Sequence, residues 1–342
     1  MSLTLKSGCA VCSKQESLVL CEACKVTTYC GSDHQVADRT SHKRVCVAIK
    51  KAQKALDDEE RSLRSLPADS WTPENPFENA VGRFWGLHET RPYMLSRFAL
   101  VDAILKVKTR YAVQTALDHV TDILRLCRSD NMGVRDLAPS LFLRLGKYQE
   151  CYDFVKWWAT TGRRSNYDWG NPALPHLDLR DEDVCEAVTL YTDSYLDLSH
   201  SVSVMLLKIR LLSDLKSLQN STVMHEVAPQ VPPEVLDNIR GQMVSAVVSR
   251  NKKIMHSEDQ GPLIRRLESQ ITRLYQAIKK DNVYFWPALL RPGNNLKACP
   301  DEYGQGSKEH MQLILQYSYD SWVETPGAIA LIKTYVAKDN GR

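Results

Sequence analysis

Six of the ten cysteines fall between Cys9 and Cys46, and the other four are scattered over the rest of a 342-residue chain. In order the stretch reads Cys9-x2-Cys12, Cys21-x2-Cys24, Cys30-x3-His34 and His42-x3-Cys46, so each pair is close enough for one short turn to aim both side chains at one ion. Thiolate and imidazole are the preferred ligands of Zn2+, and structural zinc sites are closed and four-coordinate, so eight ligands make two sites. The linkers between the pairs are short. A segment of this size buries too little apolar surface to fold unaided, and metal binding is expected to supply most of its folding free energy. Four ligand pairs in series argue against buried free thiols. A disulfide framework is disfavoured because no secretory leader is read ahead of Cys9, and reducing compartments keep cysteines as thiols.

The last two pairs lie on a helical stretch, with Ser32 or Asp33 placed to cap its start and His42 and Cys46 four residues apart on one face. Together with Tyr29-Cys30, Gln35 and His42-Lys43-x2-Cys46, this spacing closely resembles the MYND-type zinc finger. The resemblance implies an interleaved pairing, with Cys9, Cys12, Cys30 and His34 on one ion and Cys21, Cys24, His42 and Cys46 on the other. Each site is then Cys3His with a formal charge of about −1. It also implies a protein-interaction module whose groove lies around Tyr29, Gln35 and Arg39. Two positions depart from the family pattern. His34 replaces a cysteine and remains a competent zinc ligand. Arg39 stands where the family usually has a tryptophan that helps form a groove for proline-rich peptides, and a guanidinium there favours an acidic or carboxylate-bearing peptide.

Length and composition bound the remainder. A chain of 342 residues with 43% apolar and 25% charged residues suits a small module joined to one large globular domain. A net charge of +3 does not by itself point to nucleic acid. Residues 1–66 carry eleven Lys and Arg against eight Asp and Glu, and two −1 metal sites lower that excess further. No apolar run reaches the roughly 18 residues a membrane helix requires, so no membrane partner is expected and the chain reads as intracellular, nucleus or cytoplasm left open.

After Cys46, the segment through Leu66 is rich in helix formers and charges, with Ala52, Leu56, Leu63 and Leu66 as its apolar points. It reads as a solvated helical arm. Pro67, Pro73 and Pro76 then break helix, and Trp71 and Phe77 are placed to dock on the body. The resulting division is 1–50 for the finger, 51–78 for arm and linker, and 79–342 for the body. From Tyr93 onward the periodicity is helical: Met94, Phe98, Val101 and Leu105 form one stripe, and Val113, Ala116, Leu117, Val120, Leu124 and Cys127 a second. Gly146-x-Tyr148-x2-Cys151 is similar to the turn of a tetratricopeptide repeat, with Gly146 as a helix C-cap, but no 34-residue period is kept. Residues 163–193 read as a long polar excursion. Helices are expected over Leu198–Leu218, Glu234–Arg250, Leu263–Lys280, Lys308–Trp322 and Gly327–Val336. The predicted fold is mainly α, a small N-terminal two-zinc finger followed by an irregular α-helical repeat-like domain. The body also resembles uncharacterised fungal proteins that carry a MYND finger ahead of a helical domain, a resemblance that supplies no activity.

Enzyme signatures are sparse. MYND fingers accompany SET methyltransferases, but strands and the Asn-His-Ser cofactor motif of that fold are missing, as are phosphate-cradling loops, nucleophile elbows and His-Glu-x2-His pairs. His176-x-Asp178 has the spacing of a non-haem iron triad, with His200, His225 or His256 as third ligand and Arg265 as cosubstrate anchor. That chemistry is mounted on a β-barrel, so a polar loop histidine beside a helix-capping aspartate is the favoured reading. Cys127 and Cys151 lie on apolar helix faces, and Trp157-Trp158 and Phe285-Trp286 read as packing residues. The sequence therefore points to a non-enzymatic adaptor holding two Zn2+, whose finger binds a partner segment and whose body serves as scaffold. The alternatives are a metal-dependent oxygenase and a transcription-related factor associated with nucleic acid.

Overall fold

The computed structural model describes residues 5–68, 72–227, 239–257, 259–300 and 302–341. Among these, the only sheet is a two-stranded antiparallel hairpin in the finger, β1 (Val19–Leu20) and β2 (Thr28–Tyr29), with Val19 opposite Tyr29 and Leu20 opposite Thr28. The rest is mostly helix, as the periodicity requires. The chain divides into two compact units, Thr4–Leu145 with Ser165–His176, and Gly146–Arg164 with Leu177–Arg342.

The first unit holds the finger. Helix α1 (Ser32–Ala37) runs through Asp38 into α2 (Arg39–Ser65), a single 27-residue helix that carries two metal ligands at its start. Here the structure corrects the expectation of a solvated arm. Ile49, Leu56 and Leu63 recur every seven residues and are buried, because α2 lies along α3 (Arg91–Ile104). Ala52 is half-buried and Leu66 exposed, so neither anchors the helix. At the far end of α2, the Arg64 guanidinium sits 4.3 Å over the Phe77 ring, and Phe77 packs against Phe84 and Tyr93 at ring separations of 5.3 and 4.9 Å. Phe77 thus docks as expected, whereas Trp71 lies outside the described residues. Helix α3 packs on α4 (Arg110–Leu126), and α4 on α5 (Ala138–Leu145). All six residues of the second predicted stripe, Val113 to Cys127, are buried. In the first stripe only Met94 and Val101 are, with Tyr93, Leu100 and Ile104 completing that face. Gly146 follows α5 with φ +74°, the left-handed conformation that ends a helix and favours glycine.

The second unit contains α6 (Tyr148–Thr160), α7 (Leu198–Val227), α8 (Gly261–Asp281), α9 (Phe285–Leu290), α10 (Lys308–Val323) and α11 (Ala328–Asn340). Helix α7 packs against α8, α6 and α10, and every residue from Ser201 to Ile209 is buried, so this stretch is covered on all sides. The Glu234–Arg250 helix is not continuous: among its described residues the chain turns extended at Ser245 (ψ 159°) before a single turn, Ala246–Ser249. Residues 234–238 lie outside the described set. The aromatic pairs pack as expected. Trp286 stacks on Tyr275 at 5.3 Å and meets Trp322 edge-on at 5.6 Å, and Trp157 and Trp158 are both buried.

The polar segment after Leu177 is held by buried polar side chains. The Asp153 carboxylate accepts from the amides of Asp181 and Glu182 at 3.1 and 3.0 Å. Lys208 donates to the carbonyls of Val184 and Glu186 at 2.6 and 3.0 Å, and Gln270 to those of Cys185 and Glu186 at 3.2 and 2.9 Å. A backbone segment that leaves regular structure must satisfy its groups elsewhere, and these helix residues do so.

Candidate metal centre and groove

Each Cys-x2-Cys pair is made by the same local turn. Ser13 donates its amide to the Cys9 carbonyl at 2.9 Å, and Lys25 to the Cys21 carbonyl at 2.7 Å. The residue after each second cysteine is left-handed, Ser13 at φ 61° and Lys25 at φ 54°. Gly8 is required before the first turn: at φ +82° a Cβ there would stand 2.3 Å from the Lys14 carbonyl oxygen. The turns bring Cys9 and Cys12 to Cys30 and His34, and Cys21 and Cys24 to His42 and Cys46, with all ligand atoms of each group within 4.8 Å of one another.

The distances suit zinc. Zn–S bonds of about 2.3 Å and Zn–N bonds of about 2.0 Å in a tetrahedron place sulfurs about 3.8 Å apart and sulfur about 3.5 Å from nitrogen. Cys12 and Cys30 sulfurs lie 3.6 Å apart and those of Cys21 and Cys46 3.8 Å. His34 presents Nδ1 to the Cys9 and Cys30 sulfurs at 3.5 and 3.1 Å, and His42 presents Nε2 to the Cys24 sulfur at 3.5 Å. The two Cys3His clusters therefore fit two Zn2+ ions, in the interleaved pairing that the resemblance implied.

Crowding within each cluster spreads the thiol titrations apart. Burial raises Cys9, but the amides of Cys12, Val11 and Cys30 outweigh it and bring the thiol down to about 6, while the Cys12 and Cys9 sulfurs push Cys30 up to about 11. In the second cluster burial and the Cys24 and Cys21 charges push Cys46 up to about 12, whereas the amides of Cys24 and Ala23 draw Cys21 down against its burial. A dication at the centre of each cluster removes that mutual repulsion and ionises the thiols together.

Supporting groups orient the ligands. With Nε2 turned to the cluster, His42 carries its proton on Nδ1, which lies 3.4 Å from the buried Thr27 hydroxyl. Thr27 was not recognised in the sequence, since a lone threonine between ligand pairs carries no pattern.

Beside the second cluster lies an open groove of about 300 Å3 lined by Cys21, Ala23, Gln35, Val36, Arg39, His42, Lys43, Cys46 and Val47. Gln35 and Arg39 line it. Tyr29 does not: it is 1% exposed, and its hydroxyl donates to Asp38 at 2.8 Å. Lys43 and Val47 were missed, although Arg39, Lys43 and Val47 follow one another in steps of four and so share a face of α2. Val36 and Val47 stand 70% and 59% exposed beside the groove.

The iron-triad candidates do not assemble. Asp178 accepts from the Trp157 indole at 3.0 Å, His200 is buried with Nδ1 3.7 Å from Asp197, and His256 and Arg265 are exposed. The His225 side chain lies outside the described residues. Among the described residues neither His176 nor Asp178 enters a group of three metal-ligating side chains, and the helical fold offers no barrel to carry one. Cys127, Cys151 and Cys185 are buried and Cys299 is exposed.

Comparison with known families decides the nature of the N-terminal segment. Residues 9–46 match the MYND finger. MYND fingers are zinc-binding modules of protein–protein interaction, and in this chain the match begins and ends on zinc ligands. No curated protein and no solved structure matched the chain. No helix among the described residues is long and apolar enough to cross a membrane.

Proposed function

We propose that the chain is a non-enzymatic adaptor, with residues 1–50 as an interaction module whose groove takes a segment of a partner protein, and the helical body from residue 79 as the scaffold behind it. Both zinc ions are structural in this reading, because all four positions around each are filled by side chains and none is left for a substrate. The observation that carries it is the groove beside the second cluster, whose lining combines exposed aliphatic groups with the directional donors of Gln35 and Arg39. An apolar recess with a few convergent polar groups is the usual form of a recognition site. Arg39 and Gln35 supply register and Val36 and Val47 supply contact area.

The test is photo-crosslinking from position 36 in the zinc-loaded full chain, with Arg39→Ala and Val47→Asp introduced as variants. Crosslinked partners that disappear in both variants while two equivalents of zinc are retained support the reading. Partners bound equally by wild type and both variants would place recognition elsewhere on the molecule.

A further inference from the structure

Resting on the reading of the groove as a peptide site, we propose that its occupant is an acidic segment with an aliphatic anchor, and that the contact continues from the groove along the first turns of α2. Between Arg39 and Leu56 that helix carries Arg39, Lys43, Arg44, Lys50, Lys51 and Lys54, and no Asp or Glu. All six cations are exposed, and none takes part in an ion pair or side-chain hydrogen bond among the described residues. The same helix turns acidic immediately afterwards, at Asp57, Asp58, Glu59 and Glu60, and its later cations are paired, Arg61 with Asp58 at 2.9 Å and Arg64 with Glu60 at 2.8 Å. Among the described residues, unpaired positive charge on α2 is thus confined to the part that begins at the groove.

Helix geometry aligns these groups. Arg39, Lys43, Val47 and Lys51 follow in steps of four, with Lys50 and Lys54 beside them, while Ile49 and Leu56 face the packed side. The groove lining contains no carboxylate, so nothing there repels an acidic ligand except the formal −1 of the adjoining zinc cluster, which Arg39 and Lys43 together exceed. The lining also contains no aromatic ring other than the ligand His42. Proline-rich peptides dock between aromatic side chains, and single-stranded nucleic acid stacks its bases on them. Aliphatic Ala23, Val36 and Val47 instead suit a Leu or Ile side chain flanked by carboxylates, the Arg39 guanidinium pairing with a carboxylate through two parallel hydrogen bonds.

The experiment is fluorescence anisotropy on the zinc-loaded full chain with a labelled Glu-Glu-Leu-Asp-Leu-Glu peptide, its charge-reversed lysine counterpart, and a neutral proline-leucine peptide, at low and high salt. The acidic peptide is expected to bind, to weaken as salt rises, and to lose about tenfold or more in affinity in the Arg39→Glu/Lys43→Glu double variant. Lys50→Glu/Lys54→Glu is expected to weaken it less and Val36→Asp to remove the anchor, each variant keeping two equivalents of zinc. Preference for the neutral proline-leucine peptide, with no salt dependence, overturns the acidic class and leaves the groove reading standing. Absence of binding by all three peptides, or binding unaltered by Val36→Asp and the double variant, overturns both. Displacement of the acidic peptide by a DNA duplex at lower concentration overturns the proposal in favour of a nucleic-acid surface.

Discussion

The hydroxyl of Tyr29 donates a 2.8 Å hydrogen bond to the carboxylate of Asp38. This bond ties strand β2 to the residue that both closes α1 and opens α2, and so holds the hairpin against the helix that carries His42 and Cys46. Burial, and then Asp38, raise the Tyr29 phenol far above its ordinary range, so it stays a donor at every physiological pH. Tyr29→Phe is expected to destabilise the first unit by about 1.5–3 kcal/mol, the cost of removing one hydrogen bond to a charged group. Zinc content and peptide affinity are expected to be unchanged. Urea unfolding with parallel elemental analysis checks this, and lost peptide binding by a fully folded, zinc-loaded variant would return Tyr29 to the partner surface.

Metal stoichiometry tests the two clusters separately. The full chain is expected to hold two zinc ions, and His42→Ala to hold one. Thr27→Val removes the group facing His42 Nδ1 and is expected to weaken the second site by about tenfold without touching the first. Competition against a chromophoric chelator reads both. A second-site affinity in Thr27→Val equal to that of wild type would show that Thr27 does not support His42.

The buried stripe of α2 predicts unequal costs along one helix. Leu56→Ala, at 5% exposure, is expected to lose about 2–5 kcal/mol of stability, whereas Lys54→Ala on the opposite side stays within about 0.5 kcal/mol. Denaturant midpoints of the full chain distinguish this packed helix from a solvated arm, on which both changes would be nearly neutral.

Lys208 gives the second unit a pH signature. Burial depresses its ammonium from 10.5 to about 8, although it donates to two carbonyls. Between those values the unfolded chain binds the proton and the folded one does not, so the Lys208 contribution makes the protein more stable as pH rises from about 8 towards 10.5. The full difference amounts to roughly 3 kcal/mol. Relative to Lys208→Met, which lacks the titration, wild type is expected to gain stability between pH 7.5 and 9.5, read as the difference in urea midpoints. A difference that stays flat across that window would show that Lys208 keeps its proton when buried.

What was legible in the sequence follows from the range of the interactions involved. Zinc pairs, helix stripes such as Val113 to Leu124, and the Gly146 stop are encoded within a few residues, and each appears where expected. Tyr29 was misplaced because motif position does not report exposure: its hydroxyl partner lies nine residues away across a turn. The α2 stripe was read too weakly because one buried apolar residue per two turns, amid many charges, suits a solvated helix as well as one laid against α3. Lys208, Asp153 and Gln270 look like surface residues in a linear reading. They are buried because a segment without regular structure needed donors and acceptors for its backbone.

Two zinc sites built from four ligand pairs, and a helical remainder, follow from the order of residues alone, since ligand spacing and helical periodicity are local properties. Packing across the fold settles which face of α2 is covered, that Tyr29 is interior while Gln35, Arg39 and Lys43 line a groove, and which polar residues are buried. Those outcomes depend on what each surface meets across the fold, where apolar area leaves water and every buried polar group must find a partner.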